Sequence, residues 1–326
     1  MNTTRERNFI LEAESEVYES GLIAVGFLVC SVIGLPGNCL ALSYFIQTKS
    51  RNLATLLYII ACCIDVGSSM IHIPVAISLL NGRAPGILGH ASICSLWFFI
   101  LLLLQAMSMF VVMLLSLTRA IVILFPFYKV KKRAVILSVV VYLVYHCTWN
   151  TLYLTLAGHA TYFPLVAYCL VYSENPSIIY LIFQANSCFC MWVPPVIVFL
   201  AFLVSLVKLL KSNITDASHR RSRQASITIT YFSLIFLLCN CFTFINQTLF
   251  TFTMLWYEGY PGPIYDNSFM LIYSWVLSEV FCTVLNASLN PLLYVWRMED
   301  MRVWALRLFR RRSNVVSVQV AQSADE

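Results

Sequence analysis

Charged residues are scarce in this chain of 326 residues. They make up 11% of the sequence against 60% hydrophobic residues, and the mean hydropathy is +0.79. A soluble domain carries more charge than this, and a disordered chain has far fewer large apolar residues. The composition therefore excludes both classes and indicates a protein whose solvent is a lipid bilayer.

Uncharged runs long enough to cross a membrane occupy most of the chain. A helix needs about 20 mostly apolar residues to span the hydrocarbon layer, and only helices or closed barrels pair all their backbone groups there. The runs are too long for barrel strands, so the sequence predicts an all-α membrane protein, a seven-transmembrane helix bundle. The predicted spans are Gly21–Ile46, Leu53–Leu80, Ala91–Leu124, Ala134–Ala157, Ile178–Leu210, Ala225–Met254 and Ser268–Val295.

Basic residues lie almost entirely on one side of these spans. Only Arg5, Arg7 and Arg83 fall on the other side, beside an acidic tail formed by residues 1–20. Because Lys and Arg in short loops prefer the cytoplasm, we expect an extracellular N-terminus and a cytoplasmic C-terminus in the plasma membrane. The net charge of +6 then reflects topology and contact with anionic membrane lipid, and it does not indicate nucleic-acid binding.

The sequence after the seventh span changes character. No repeat or second domain interrupts the predicted bundle, residues 21–296. Residues 297–312 then place Met301, Trp304 and Leu308 opposite Arg302 and Arg307 at helical spacing. This pattern predicts a short amphipathic eighth helix on the inner membrane surface. The polar residues 313–326 are predicted to be a disordered cytoplasmic tail.

Five oxygen-bearing side chains share one predicted depth in the membrane. An ionisable group there costs about 2.5 to 3.5 kcal/mol even on a lenient insertion scale, so Asp65 is the clearest candidate for a functional role. Two interpretations are open: a site for a small hard cation such as Na+, or a water-bridged network that fixes helix packing. No other cofactor is indicated. The five are Asn38, Asp65, Ser108, Asn286 and Asn290.

Arg119 lies three helical turns from Ser108 on nearly the same face of the third span. Its guanidinium is predicted to stand at the inner mouth of the bundle. The alternative is an arginine that only extends from a helix end into the headgroup region, which is common.

Two cysteines, Cys94 and Cys169, fall at or beyond the outer membrane edge, in an oxidising compartment. A disulfide between them would tie the third span to the long loop at 158–177 and contribute about 2 to 4 kcal/mol. Two unpaired thiols are the alternative.

Short motifs recur through the spans in a fixed order. Asn290-Pro291-Leu292-Leu293-Tyr294 ends the seventh span, and Pro36-Gly37-Asn38 lies in the first. Further motif positions are Asp65, Cys94 with Arg119, Trp149, Pro194-Pro195 and Phe236-Leu237-Leu238-Cys239. Over residues 21–312 the series resembles that of the rhodopsin-like (class A) G-protein-coupled receptors, in a divergent form. Thr118-Arg119-Ala120 replaces the usual Asp-Arg-Tyr, and Asn240 and Phe242 replace the sixth-helix Trp and Pro.

The resemblance implies a receptor that binds an extracellular ligand and activates a heterotrimeric G protein, and it implies no enzyme activity. In that scheme Arg119 and Tyr294 line the cleft that opens to the G protein, and the basic third loop faces it with Arg220, Arg221 and Arg223. The alternative class is a multi-pass transporter or channel, which also places charged groups at the midplane. The odd number of spans and the absence of paired halves in the sequence argue against it.

The resemblance also narrows the ligand. Val284 stands where opsins carry the retinal lysine, and Leu101 stands where amine receptors carry an aspartate, so both ligand classes are disfavoured and a peptide is preferred. Helical phase predicts a ligand pocket lined by His72, Leu101, Gln105, Gln247 and Glu279, with Glu279 suited to pair with a cationic group. Asn2-Thr3-Thr4 is a candidate glycosylation sequence in the extracellular tail.

Overall fold

The structure is a computed structural model that describes residues 3–48, 52–81, 89–125, 127–156, 161–163, 168–170, 178–211, 227–241, 244–245, 248 and 283–308. Its helices are α1 (Thr3–Gln47), α2 (Leu53–Leu80), α3 (Ala91–Leu124), α4 (Lys132–Leu156), α5 (Ile178–Lys211), α6 (Ile227–Cys241), α7 (residues 283–297) and α8 (residues 299–308). Two short strands, β1 (Thr161–Phe163) and β2 (Tyr168–Leu170), lie between α4 and α5.

The helix boundaries follow the hydrophobic pattern closely. α2 and α3 begin and end at the predicted residues, and α4 begins two residues before the predicted span, at Lys132. α1 differs, because the helix already begins at Thr3, within the predicted tail. Among the described helices, four are long and apolar enough to cross a membrane: α1 over Ala24–Gln47, α2, α3 and α4.

α3 is the central helix of the described bundle. It contacts α2, α4, α5 and both strands, whereas α1 packs mainly on α2. Most of its apolar residues are therefore buried in protein, including Met109, Val111 and Leu115. α4 buries far fewer, and Leu137, Val141 and Val144 on its surface are exposed, as expected for a helix that faces lipid.

The outer loop contains an antiparallel pairing that the all-α prediction did not include. β1 and β2 pair with Tyr162 opposite Cys169, and both strands contact α3. Cys169 forms a disulfide with Cys94 of α3, across a Cα–Cα distance of 5.5 Å. The predicted disulfide is confirmed, and it holds this hairpin against α3.

α8 lies against the end of α1. Met301 and Ala305 are buried while Arg302 and Arg307 are exposed, which confirms the amphipathic pattern over the described residues. Trp304 donates a hydrogen bond from Nε1 to Gln47 Oε1 at 3.3 Å, and its ring lies 5.5 Å from that of Tyr44. The end of the bundle that carries α8, the start of α2 and the start of α4 is called the basic end below.

Candidate functional site

A hydrogen bond between α2 and α7 stands at the centre of the predicted polar network. Asn290 donates from Nδ2 to Asp65 Oδ2 at 2.7 Å, and both side chains are buried. A hydrogen bond to a charged acceptor is stronger than one between neutral groups, and losing it would leave a carboxylate unpaired in the membrane. The pair therefore fixes α7 against α2.

Asn38 joins α1 to the same network. Its Nδ2 donates to the carbonyl oxygens of Gly34 at 2.9 Å, within α1, and of Ala287 at 2.8 Å, on α7. Its Oδ1 is buried and accepts no hydrogen bond within the described part of the chain. A buried amide oxygen without a donor is the kind of ligand that a Na+ ion or an ordered water takes.

Two glycines bring the helices close enough for these bonds. A Cβ on Gly34 would come within 2.8 Å of Ser69 Oγ and 3.3 Å of Ser288 Cα, and one on Gly37 would come within 2.8 Å of the Pro291 ring. Any larger residue would push α1 away from α2 and α7. Gly37 belongs to the first-helix motif, so the motif provides both the amide and the space that it needs.

The other two predicted members of the network are placed differently. Asn286 is buried on α7, one turn before Asn290. Ser108 on α3 is only partly buried, and none of the hydrogen bonds that link Asn38, Asp65 and Asn290 involves it. The described network thus runs through α1, α2 and α7, and its extension to α3 stays a prediction.

An aromatic cluster closes the basic end of the bundle. It consists of Phe45, Tyr58, Phe232 and Tyr294, one residue from each of α1, α2, α6 and α7. Tyr294 is fully buried at its centre, with ring centroids 5.4 Å from Phe45, 5.4 Å from Tyr58 and 5.8 Å from Phe232. The Tyr58 and Phe232 rings lie 6.5 Å apart. In this arrangement α6 packs directly against α7 at the basic end.

Arg119 lies near Tyr58 of this cluster. Its place at the inner mouth of the bundle stays a prediction. The side chain of Arg119 is partly buried. Its Nε is buried and makes no hydrogen bond to any described residue. The neighbouring Thr118 uses its hydroxyl to donate to the Leu115 carbonyl at 3.0 Å, within its own helix. The guanidinium of Arg119 therefore keeps one buried donor without an acceptor among the described residues.

A direct bond between α3 and α6 was not predicted. The hydroxyls of Ser116 and Ser233 lie 2.8 Å apart, and both residues are buried. Ser233 is next to Phe232. The same turn of α6 therefore contacts α3 through the hydrogen bond and α7 through the aromatic cluster. The sequence shows only that both spans contain serines. Serines are common in membrane helices without bonding to another helix, so this bond could not be predicted.

The opposite half of the bundle holds the described candidates for the ligand pocket. His72, Leu101 and Gln105 are all buried. His72 stacks on Phe27 with centroids 5.9 Å apart, and its Nδ1 lies 2.6 Å from the Ser68 carbonyl oxygen. A carbonyl only accepts, so Nδ1 carries the proton and Nε2, which has no partner among the described residues, is left as an acceptor. His72 is thus half satisfied.

Several predicted site residues lie outside the described residues. They are Asn2 of the glycosylation sequence, Arg220, Arg221 and Arg223 of the third loop, and Gln247 and Glu279 of the predicted pocket. Their proposed roles remain predictions.

Comparison with known proteins places the fold. No protein-family model and no curated protein matches the sequence. A structural match is squid rhodopsin, with a TM-score of 0.67 and 16% sequence identity over 90% of this chain and 86% of the rhodopsin chain. The chain therefore has the fold of squid rhodopsin, a seven-transmembrane helix bundle. Within the described residues, α3 and α6 face each other where the Ser116–Ser233 bond lies.

Proposed function

We propose that the protein is a G-protein-coupled receptor of the rhodopsin-like class, which binds an extracellular ligand and activates a heterotrimeric G protein. The observation that carries the proposal is the Asn290–Asp65 hydrogen bond, in a rhodopsin-like fold whose basic end is closed by the aromatic cluster around Tyr294. It joins the aspartate of the second span to the Asn-Pro-x-x-Tyr motif of the seventh in one contact. The receptor lies in the plasma membrane with its N-terminus outside.

Activation requires α6 to leave α3 and α7 at the basic end. That movement separates Ser116 from Ser233 and Phe232 from Tyr294. The space it opens is bounded by Arg119, whose unpaired Nε is then free to bond to a main-chain carbonyl of the G protein. A ligand drives the change only by binding the open state more tightly than the closed one.

Na+ at the polar network is part of the proposal. Asp65 supplies the charge, Asn38 the orphaned oxygen, and Asn286 and Ser108 are candidates for the remaining ligands. The ion would strengthen the contact among α1, α2 and α7 and so favour the closed state. The same site filled with water would fix packing without responding to salt.

A peptide ligand is the preferred class. Two observations argue against other ligand classes. Leu101 is a buried aliphatic residue that cannot pair with the ammonium group of an amine, and the buried Val284 has no amine to bind retinal. His72 offers one hydrogen-bond acceptor toward a ligand group that donates, such as a peptide N–H. Glu279 is the proposed partner for a cationic group.

The test is ligand-free nucleotide exchange, which needs no ligand to be known. Purified receptor in lipid nanodiscs is mixed with representatives of each G-protein class, and guanine-nucleotide exchange is measured. We expect exchange above the receptor-free rate on at least one class, lost in Arg119→Ala and kept in Arg133→Ala, a matched change at an exposed arginine.

Two results would overturn the proposal. One is the absence of exchange on every G protein both for the wild type and for Ser116→Ala, which unties α6. The other is an exchange rate that Arg119→Ala leaves unchanged. Solute flux into reconstituted vesicles in either case would favour the transporter alternative.

A further inference from the structure

α6 and α7 meet a second time on the exposed side of the aromatic cluster. Tyr231 of α6 precedes Phe232, and Trp296 lies two residues beyond Tyr294 of α7. The Tyr231 and Trp296 rings have centroids 5.6 Å apart, and the two side chains are 40% and 58% exposed. The two helices therefore meet through a buried ring pair, Phe232–Tyr294, and an exposed one, Tyr231–Trp296.

Arg297, the last residue of α7, places its guanidinium over both exposed rings. Its Cζ lies 5.4 Å from the ring centroid of Tyr231 and 5.2 Å from that of Trp296. Both distances are within the ~6 Å over which the face of an aromatic ring attracts a cation. The Nε atom is buried and has no hydrogen-bond partner among the described residues, so a hydrogen bond through that atom does not fix the guanidinium. The two ring faces hold the charge in place.

A positive charge at this point also suits α7 alone. Basic residues near a helix C-terminus interact favourably with the helix dipole. That role needs only the charge, and it does not require Tyr231, which belongs to a different helix. The contact with Tyr231 depends on where α6 lies. If α6 moves away from α7, Tyr231 moves with it, whereas Trp296 and Arg297 stay together on α7.

We propose that Arg297 is a positioning residue that stabilises the closed position of α6 by binding the ring face of Tyr231. The closed state has this cation–π contact and the open state lacks it, so the contact lowers the population of the open state. It acts alongside the Ser116–Ser233 bond, but from α7 rather than from α3. Its effect on nucleotide exchange rests on the proposed function, whereas its effect on α6 itself does not.

The experiment weakens the ring face at position 231 while it keeps the shape of the ring. Tyr231→Phe and its mono-, di- and trifluorinated derivatives are made in the full-length protein by nonsense-codon suppression. Each fluorine withdraws electron density from the ring face and so weakens its attraction for a cation. Ligand-free nucleotide exchange is measured in lipid nanodiscs for the series alone, with Arg297→Gln and with Arg307→Gln. Arg307 is the matched control, because it is an exposed arginine of α8 at the same end of the bundle.

We expect exchange to rise with each added fluorine, to about two- to fivefold above Tyr231→Phe, the range for a half-exposed cation–π contact. With Arg297→Gln exchange should be high for every ring, because no cation remains for the ring to bind. With Arg307→Gln the stepwise rise should be kept. A series that is flat in the presence of Arg297 would overturn the proposal, and so would a rise that persists with Arg297→Gln, since fluorine would then act through packing.

A second measurement needs no G protein. The fluorine NMR signal of the monofluorinated ring at position 231 is recorded in nanodiscs for the same three backgrounds. We expect Arg297→Gln to shift this signal and Arg307→Gln to leave it in place. A signal that Arg297→Gln does not move would overturn the contact. A signal that moves in a protein without nucleotide exchange on any G protein would support the contact and overturn the proposed function instead.

Discussion

Two helix contacts of the bundle are built from different chemistry. α1, α2 and α7 are joined by the buried Asp65–Asn290 pair, by Asn38 bonding to the backbone of α7, and by a glycine that permits close approach. α3 and α6 are joined by two neutral hydroxyls. Pulling the first contact apart strands an ionisable group in the membrane, whereas serine hydroxyls that separate can turn to water or to their own helix carbonyls. The comparison supports α6 as the helix that moves in the proposed activation.

The largest expected effect comes from breaking the first contact at Gly34. Gly34→Val places its Cβ within 2.8 Å of Ser69 Oγ and 3.3 Å of backbone on α7, so α1 must shift. We expect a loss of roughly 1 to 3 kcal/mol of stability, seen as a lower thermal unfolding midpoint in detergent. Gly67→Ala is the control, since its Cβ meets only the flexible end of Leu104 at 3.2 Å. Equal midpoints for the two variants would show that the close approach is unimportant.

Removing the charge from the same contact tests the proposed ion. In Asp65→Asn an amide oxygen still accepts from Asn290, so packing is kept while the cation loses its main attraction. We expect Na+ to lower ligand-free nucleotide exchange of the wild type by about fivefold or more relative to choline, and to leave the variant unaffected. A wild type whose exchange ignores Na+ at constant ionic strength would favour the water-bridged network.

Removing the Ser116–Ser233 hydrogen bond between α3 and α6 should favour the open state. Ser233→Ala removes a neutral hydrogen bond worth about 1 kcal/mol, so ligand-free exchange should rise about fivefold. The control is Ser138→Ala on α4, where the hydroxyl donates only to the Val135 carbonyl of its own helix. The double variant Ser116→Ala/Ser233→Ala should exceed neither single variant by much, because both remove the same bond. Additive increases would show that the two serines act through different partners.

The first contact could be predicted from the sequence better than the second. Asp65, Asn38 and Asn290 stand out because polar groups in uncharged spans are costly and must be paired. The Asn38–Ala287 hydrogen bond was harder to predict, because its acceptor is a backbone carbonyl, which every residue has.

α3 shows why its sequence pattern could not single out Ser116. Nearly every residue from Gln105 to Ser116 is buried, because α3 is surrounded by other helices, so no face of it is distinguished by its pattern. Ser108 is partly exposed while Ser116 is buried and bonded to α6. The strands escaped prediction for a similar reason: three-residue segments are too short for an alternation to be recognised, and their pairing is stabilised by a disulfide to a distant helix.

The smallest expected effect comes from placing a negative charge beside Arg119, at Thr118. Thr118 is uncharged, and its hydroxyl donates to the Leu115 carbonyl. Arg119 therefore lacks the adjacent carboxylate that the resembled family has at this position. In Thr118→Asp the new carboxylate can pair with the guanidinium and hold it back from the cleft, and ligand-free exchange should fall about twofold, in the range of a partly exposed ion pair. Thr118→Asn has nearly the same shape without the charge and should behave like the wild type. If the asparagine variant lowered exchange as much as the aspartate variant, loss of the Thr118 hydrogen bond would explain the effect, and α6 alone would hold the closed state.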